Sequence, residues 1–271
     1  MKYLIIILLF MYQYSNGQSI KPVTTNVSRS SCVKIISKVG NISGTGFFID
    51  DNIIVTCFHV IAQISMDTAK NINFNIFPDL EAVTEEGDTV SLTCMSIPFN
   101  NSPEPLLQDF ALLKTNTIIK NKSILRISNN TDHLIGENII FSGYPLGTPT
   151  MVSHFGIISG ITKDKSIICV QASINKGNSG GALVNSDGEV IGIISNREGG
   201  ISLELENYLN KISEGEKRGS IQLMGIDPMQ VSKETIKILN TYISTGIGYA
   251  RNIRFLREYA KIHFVALSKK P

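Results

Sequence analysis

Short apolar runs punctuated by Gly, Asn, Asp and Pro dominate the chain as far as residue 195. A first set comprises "CVKIISKV", "GTGFFID", "NIIVTCFHVI", "NFNIF", "TVSLTCMSI" and "FALLKT". A second comprises "NIIFSGYP", "MVSHFGIISGI", "SIICVQASI", "GALVN", "EVIGIIS" and, further on, "TGIGYA". Runs of this length, rich in Val, Ile, Phe and Thr and bounded by turn formers, predict β-strands, and their repetition predicts an all-β barrel or sandwich. The polar stretches "NTIIKNKS" and "SNNTDHLIGEN" divide the two sets near residues 115 to 130. Ser186-Asp187-Gly188 marks a tight turn between two strands of the second set. No internal repeat is visible.

One segment changes period. Between "VIGIIS" and "TGIGYA", apolar Leu205, Tyr208, Leu209 and Ile212 recur at three and four, which predicts a helix. Glu204 and Glu206 lie early in it and Lys211 late, as the helix dipole favours. A second helix starts with Asp227 as N-cap, Pro228 at the first position and Gln230 closing a capping box. Its apolar face is expected at Val231, Ile236, Leu239 and Ile243. "NIRFLREYAKI" predicts a C-terminal helix, with Arg251, Arg254 and Arg257 as a solvated basic stripe.

Composition narrows the class. The 271 residues suit one large domain or two smaller ones, with 42% hydrophobic and 18% charged residues against a typical charged share of about 25%. A net charge of +2 gives no push toward nucleic acid or an acidic membrane surface. The opening "MKYLIIILLFMYQYSNGQS" has a positive start, an apolar run too short for the roughly 20 residues of a membrane span, and small residues before a cut after Gly17. It reads as a secretory signal peptide, so a secreted or periplasmic protein without a stable membrane span is expected. No cysteine near the cut invites lipid anchoring.

Cys32, Cys57, Cys94 and Cys169 could pair in three ways in an exported chain. For Cys57, inside an apolar run, a buried free thiol is the better expectation. No metal-ligand spacing is present, so neither metal nor cofactor is expected. Glycosylation sequons at Asn26, Asn41, Asn100, Asn121 and Asn129 matter only in a eukaryote.

Candidate chemistry centres on "NKGNSGGALVNSDGEVIGIIS". Residues 177–181 fit G-x-S-x-G, the nucleophile elbow of α/β-hydrolases. That elbow needs a helix after the serine and an acid and a histidine downstream. Here a strand, a DG turn and another strand follow, and only His263 lies beyond. The elbow is excluded. The other scaffold that carries a serine in such a loop needs His, then Asp, then Ser. His59 at the end of "IIVTCFHV" and Asp109 in "QDFALLK" precede Ser179 in that order. A strand-end histidine, an aspartate before a strand and a glycine-rich loop are each commonplace alone. Together and in order they point to acyl-transfer chemistry.

"SGTGFFID", "VTCFHV", "DFALLK", "SGYPLGTPTMVSHFGIISG", "ASINKGNSGGALVNSDGEVIGI" and "TGIGYA" together resemble the trypsin-like serine peptidases of the HtrA/Deg type. The resemblance covers most of residues 30 to 195 and resumes at about 245 to 262. It implies two six-stranded antiparallel β-barrels: 30–120, then 124–262 carrying a helical insertion at 197–244, with 1–17 as leader and 263–271 as tail. By matching motif, His59 would be general base, Asp109 its orienter and Ser179 the nucleophile, with the N–H groups of Gly177 and Ser179 as oxyanion hole. Ser173 would floor the S1 pocket, and its neutrality suggests a small or medium apolar residue before the cut. Ser195, Asn196 and Arg197 would offer a strand to the substrate backbone. The expected partners are therefore polypeptide substrates.

Departures from the pattern also inform. Asn178 replaces the aspartate that digestive trypsins pair with a freshly cut N-terminus, so no activation by that ion pair is expected. Cys57 lies two residues before His59, so the histidine-loop disulfide is not expected. About 20 residues follow "TGIGYA", too few for a PDZ domain of at least about 50. The insertion could pack against the barrel or gate S1. The competing class is a catalytically silent binding or chaperone-like protein that keeps the fold.

Overall fold

The computed structural model describes residues 20–66, 72–97, 108–197, 208–209, 211–214, 222–242 and 246–263. The leader, most of the insertion's first helix and the tail lie outside them. Six strands close a first antiparallel barrel: β1 (Cys32–Ser37), β2 (Ile42–Asp50), β3 (Ile53–Thr56), β6 (Glu81–Val83), β7 (Thr89–Ser96) and β8 (Ala111–Thr115), in the order β1-β2-β3-β8-β7-β6. The pair β4 (Ala62–Met66) and β5 (Ile72–Ile76) forms a separate ribbon. A second barrel runs β13-β10-β11-β12-β15-β14 and closes through β13–β14 pairing. Its strands are β10 (Asn138–Gly143), β11 (Val152–Ile161), β12 (Ile167–Gln171), β13 (Ala182–Asn185), β14 (Glu189–Arg197) and β15 (Ile247–Asn252). A short β9 (Arg126–Ile127) joins β14 in parallel.

The continuous apolar runs of the second set have a structural cause. Successive strand residues point to opposite faces. Ile139, Phe141, Leu183, Ile191 and Ile194 fill the second barrel. Their neighbours Ile140, Ala182, Val184, Val190 and Ile193 instead join the first barrel's core. Both faces of β10, β13 and β14 are thus apolar because one faces its own barrel and the other the barrel–barrel seam. At that seam distant parts of the chain meet.

Helices differ from expectation. An unpredicted helix α1 (Pro22–Ser30) precedes the first barrel, and α2 (Phe58–Ile61) is a single turn following β3. Asp227 caps α3 (Pro228–Tyr242), its Oδ1 accepting from Met229 N–H at 2.9 Å and Gln230 N–H at 3.2 Å. Of the expected apolar face of α3, Ile236 is buried, whereas Val231 and Leu239 are exposed. The first insertion helix is seen at 208–209 and 211–214, where Ile212 is buried. The basic stripe is broken. Arg251 belongs to β15, and only Arg254 and Arg257 sit on α4 (Arg254–His263). Arg257 donates to the Asn129 carbonyl at 2.6 Å. Tyr259 packs edge-on against Phe110 at 5.5 Å, tying α4 to the first barrel.

Among the described residues Cys32, Cys57, Cys94 and Cys169 form no disulfide. The His154 ring stacks on Phe141 at 4.8 Å, and its buried Nε2 has no hydrogen-bond partner among the described residues. Burial holds the His154 imidazole below its ordinary range. As pH falls through about 6.5, the unfolded chain takes up a proton that the folded ring resists. Stability present above that pH is then lost. His154→Phe should flatten this part of the profile, read as a smaller difference between urea midpoints at pH 5 and pH 7.5.

Candidate active site

The site is built by three turns that meet across the seam. Thr56 Oγ1 bonds the Thr45 carbonyl at 2.6 Å and Val60 N–H bonds the Cys57 carbonyl at 3.2 Å, folding "TCFHVI" into a strand end and one helical turn. Phe58, Val60 and Ile61 anchor that turn in the core. His59, on its other side, keeps 41% of its side chain exposed. His59 therefore sits in a helical turn rather than on the strand itself.

Asp109 is 5% exposed and takes the unusual φ of +34°, which Asp and Asn tolerate better than most residues. Its Oδ2 accepts from His59 Nδ1 at 2.8 Å, and its Oδ1 accepts from the His59 backbone N–H at 3.1 Å. An ionised carboxylate only accepts, so the proton of a neutral His59 lies on Nδ1 and Nε2 carries the free lone pair. Ser195 Oγ donates a further 2.6 Å bond to Asp109 Oδ2. Burial by itself pushes the Asp109 carboxyl up. The facing His59 ring and the hydrogen bonds from His59 and Ser195 outweigh it and hold the group below its ordinary value.

Sequence reading assigned Ser195 only to the substrate strand. Its hydroxyl contact with Asp109 had no local sign, because 86 residues separate the two. Cys57 is the second unforeseen neighbour. Its ligand atom, with those of His59 and Asp109, lies in a group all within 4.8 Å of one another. Burial drives the Cys57 thiol well above its usual range, with Asp109 adding to the effect, and Sγ bonds the Ile194 carbonyl at 3.2 Å. A protonated, enclosed thiol is neither a nucleophile nor a ready metal ligand.

Ser179 stands on the opposing barrel, in a turn pinned by Asn178 N–H to Asn175 O (3.1 Å), Gly180 N–H to Ile194 O (2.7 Å) and Gly181 N–H to Asn178 O (3.0 Å). Thr45 clamps the same turn, its N–H on Ser179 O at 2.8 Å and its Oγ1 on Gly177 O at 2.7 Å. Gly177 has φ +95°. Among the described residues the backbone N–H groups of Gly177 and Ser179 have no acceptor. The Ser179 hydroxyl donates to the Ser195 carbonyl at 2.7 Å rather than to the His59 ring.

Ser173 is exposed, and the next residue, Ile174, is buried. A Cβ added at Gly248 would lie only 2.1 Å from Ile174 Cδ1, so this isoleucine fills the space over β15. Asn196 and Arg197 pair with Tyr249 and Gly248 after a bulge between Ile194 and Asn196. Asn178 is fully buried, and among the described residues neither amide atom finds a partner.

Two six-stranded antiparallel barrels, with a His–Asp pair on one and a glycine-flanked serine on the other, define the trypsin-like fold. The chain belongs to the trypsin-like peptidase domain family, whose model matches residues 44–193. It is 34% identical over 176 residues to "Serine protease HtrA-like" of Staphylococcus haemolyticus, covering 56% of this chain and 24% of that protein. It is 30% identical over 155 residues to "Probable periplasmic serine endoprotease DegP-like" of Buchnera aphidicola, covering 51% and 33%. The chain thus spans a third or less of those two relatives. An inactive-form crystal structure of Rv3671c from M. tuberculosis H37Rv shares the fold, with TM-score 0.55, 17% identity, and 93% and 97% of the two chains covered.

Proposed function

We propose that the protein is a serine endopeptidase that hydrolyses peptide bonds through an acyl-enzyme. The observation carrying this is the buried Asp109 carboxylate, which holds the exposed His59 ring with Nε2 free across the seam from Ser179. In the attacking step Ser179 Oγ leaves the Ser195 carbonyl for His59 Nε2, a side-chain rotamer change on the ps–ns scale. His59 takes the hydroxyl proton as Oγ attacks the scissile carbonyl, then returns it to the leaving amine. Asp109 stabilises the imidazolium. The Gly177 and Ser179 N–H groups receive the developing oxyanion. Water then attacks the acyl-enzyme with His59 again as base.

The orientation of the Ser179 hydroxyl toward Ser195 favours one rival, a silent binding protein with the same fold. Fluorophosphonate labelling separates the two. A single adduct at Ser179, absent in Ser179→Ala, is expected; a native protein that takes no label is not a serine hydrolase.

For specificity, the neutral Ser173 and the buried Ile174 support cleavage after small or medium apolar residues. Ile174→Ala should shift a peptide-library profile toward larger apolar residues at that position. An unchanged profile would remove Ile174 from the pocket. Export fits the leader and the periplasmic description of the Buchnera relative, and a mature N-terminus beginning at Gln18 would establish it.

A further inference from the structure

Helix α1 stands outside both barrels yet is bonded to each. The Ser31 carbonyl accepts from Phe48 N–H of β2 at 3.0 Å, and the Ser30 carbonyl accepts from Ser123 N–H between the barrels at 3.1 Å. Buried Ser28 Oγ meets Ser142 Oγ of β10 at 2.9 Å, and Ser142 Oγ meets Ser153 Oγ of β11 at 2.9 Å. Arg29 completes the strap with both ends of its fork. Nη2 pairs with Glu85, in the turn between β6 and β7 of the first barrel. Nη1 donates to the Met151 carbonyl at 3.2 Å and to Ser153 Oγ at 3.4 Å on the second.

Ser142 and Met151 bracket residues 144–150, the turn that supports the oxyanion peptide. Leu146 N–H bonds the Lys176 carbonyl at 2.8 Å, and Tyr144 N–H bonds Thr45 Oγ1 at 3.1 Å, the hydroxyl that also holds Gly177 O. Residues 146–150 are exposed, and a cavity of about 230 Å³ lies against them, lined by Lys34, Ser43, Glu85, Leu146 and Met151 among others. The turn has little packing of its own on that side. Besides the internal Thr148 bonds to the Pro145 and Thr150 carbonyls, it is held by the Tyr144 and Leu146 N–H bonds and by its Met151 end.

We propose that Arg29 is a positioning residue for the oxyanion hole. It staples the β6–β7 turn of one barrel to the Met151 end of the 144–150 turn on the other, and so fixes the Lys176–Gly177 peptide. This rests on the serine-peptidase reading above. The role suits arginine, because a planar fork bonds two partners in different directions and a lysine ammonium does not replace it.

The test compares wild type, Arg29→Ala, Arg29→Lys and Ser28→Ala as full chains. Arg29→Ala should lower kcat roughly 10–100-fold with KM within about threefold, the pattern of a misplaced catalytic group rather than lost substrate binding. Arg29→Lys should fall between wild type and Arg29→Ala, and Ser28→Ala should lower kcat in the same direction. Exchange of the hydrogen-bonded amides of Tyr144, Leu146, Thr148 and Asn178 should accelerate at least about tenfold in Arg29→Ala, while core strands β2 and β13 stay protected. Unchanged kcat and exchange in Arg29→Ala would overturn the proposal. So would acceleration spread evenly over both barrels, which marks a general loss of stability. Exchange needs no turnover, so a wild type that takes no fluorophosphonate sinks the peptidase reading while the exchange arm still decides whether Arg29 holds the turn.

Discussion

Asp109→Asn should leave a folded protein whose kcat at pH 7 is about 10⁴-fold below wild type. The backbone is not the reason, since asparagine tolerates the positive φ at this position as aspartate does. The loss comes from counting donors. Oδ2 accepts from His59 Nδ1 and Ser195 Oγ, and Oδ1 accepts from His59 N–H. A carboxylate satisfies all three. An amide offers one oxygen and one NH₂, and at 5% exposure no bulk water compensates. With its oxygen toward His59 N–H, its NH₂ faces Nδ1. The imidazole then moves its proton to Nε2, the atom that must accept from Ser179. With the amide reversed, the NH₂ opposes His59 N–H and the turn carrying His59 is pushed away.

The same substitution has a pH signature. Asp109 is held below its ordinary value in the folded state. Its contribution to stability is present above about pH 3.9 and is lost as pH falls through the lower folded value. Asp109→Asn should lack that part of the acid-induced loss. Steady-state rates at pH 7 and urea midpoints between pH 2.5 and 5 check both statements. A rate within tenfold of wild type would mean that His59 does not depend on Asp109 for its tautomer.

Much of this architecture was legible in the chain, and the exceptions have physical causes. The strands were readable because barrel formation demands apolar runs, and the seam demands them on both faces of β10, β13 and β14. Helix α1 was not. "PVTTNVSRS" is rich in β-branched and hydroxyl residues that favour other conformations. Its buried face carries Thr24 and Ser28 while Val23 is 62% exposed, the reverse of an amphipathic signal. Hydrogen bonds to β10 and to the interbarrel chain stabilise it, and no window of its own sequence reports them. Arg251 was assigned to a helix because the i, i+3, i+6 spacing of Arg251, Arg254 and Arg257 runs across a strand–helix junction at Ile253. The His–Asp–Ser order was visible. Ser195 as a donor to Asp109 was not, because that contact exists only once the second barrel is docked against the first.

Gly177→Ala should lower kcat by about 10²–10³ with little change in KM and a thermal midpoint only a few degrees lower. Gly177 holds φ +95°, and an added Cβ would lie 2.2 Å from the Tyr144 carbonyl oxygen and 3.0 Å from Leu146 N. Neither atom can retreat cheaply, because Leu146 N–H is bonded to Lys176 O. The alanine must therefore return to negative φ, which rotates the Lys176–Gly177 peptide and carries its N–H away from the Ser179 N–H. One of two oxyanion donors is lost, while His59, Asp109 and Ser179 keep their own contacts. The strain is local, about 1–3 kcal/mol for such a backbone position. Gly180→Ala supplies the contrast. Gly180 also has positive φ, +90°, but its Cβ would meet Thr45 O at 2.0 Å and Thr56 Oγ1 at 2.3 Å, both on the first barrel. That clash pushes the barrels apart, so Gly180→Ala should lose stability and activity together. A Gly177→Ala protein with wild-type kcat would remove the Gly177 N–H from the mechanism. Equal thermal destabilisation of the two variants would show that the 177 turn, like the 180 contact, serves the seam rather than the transition state.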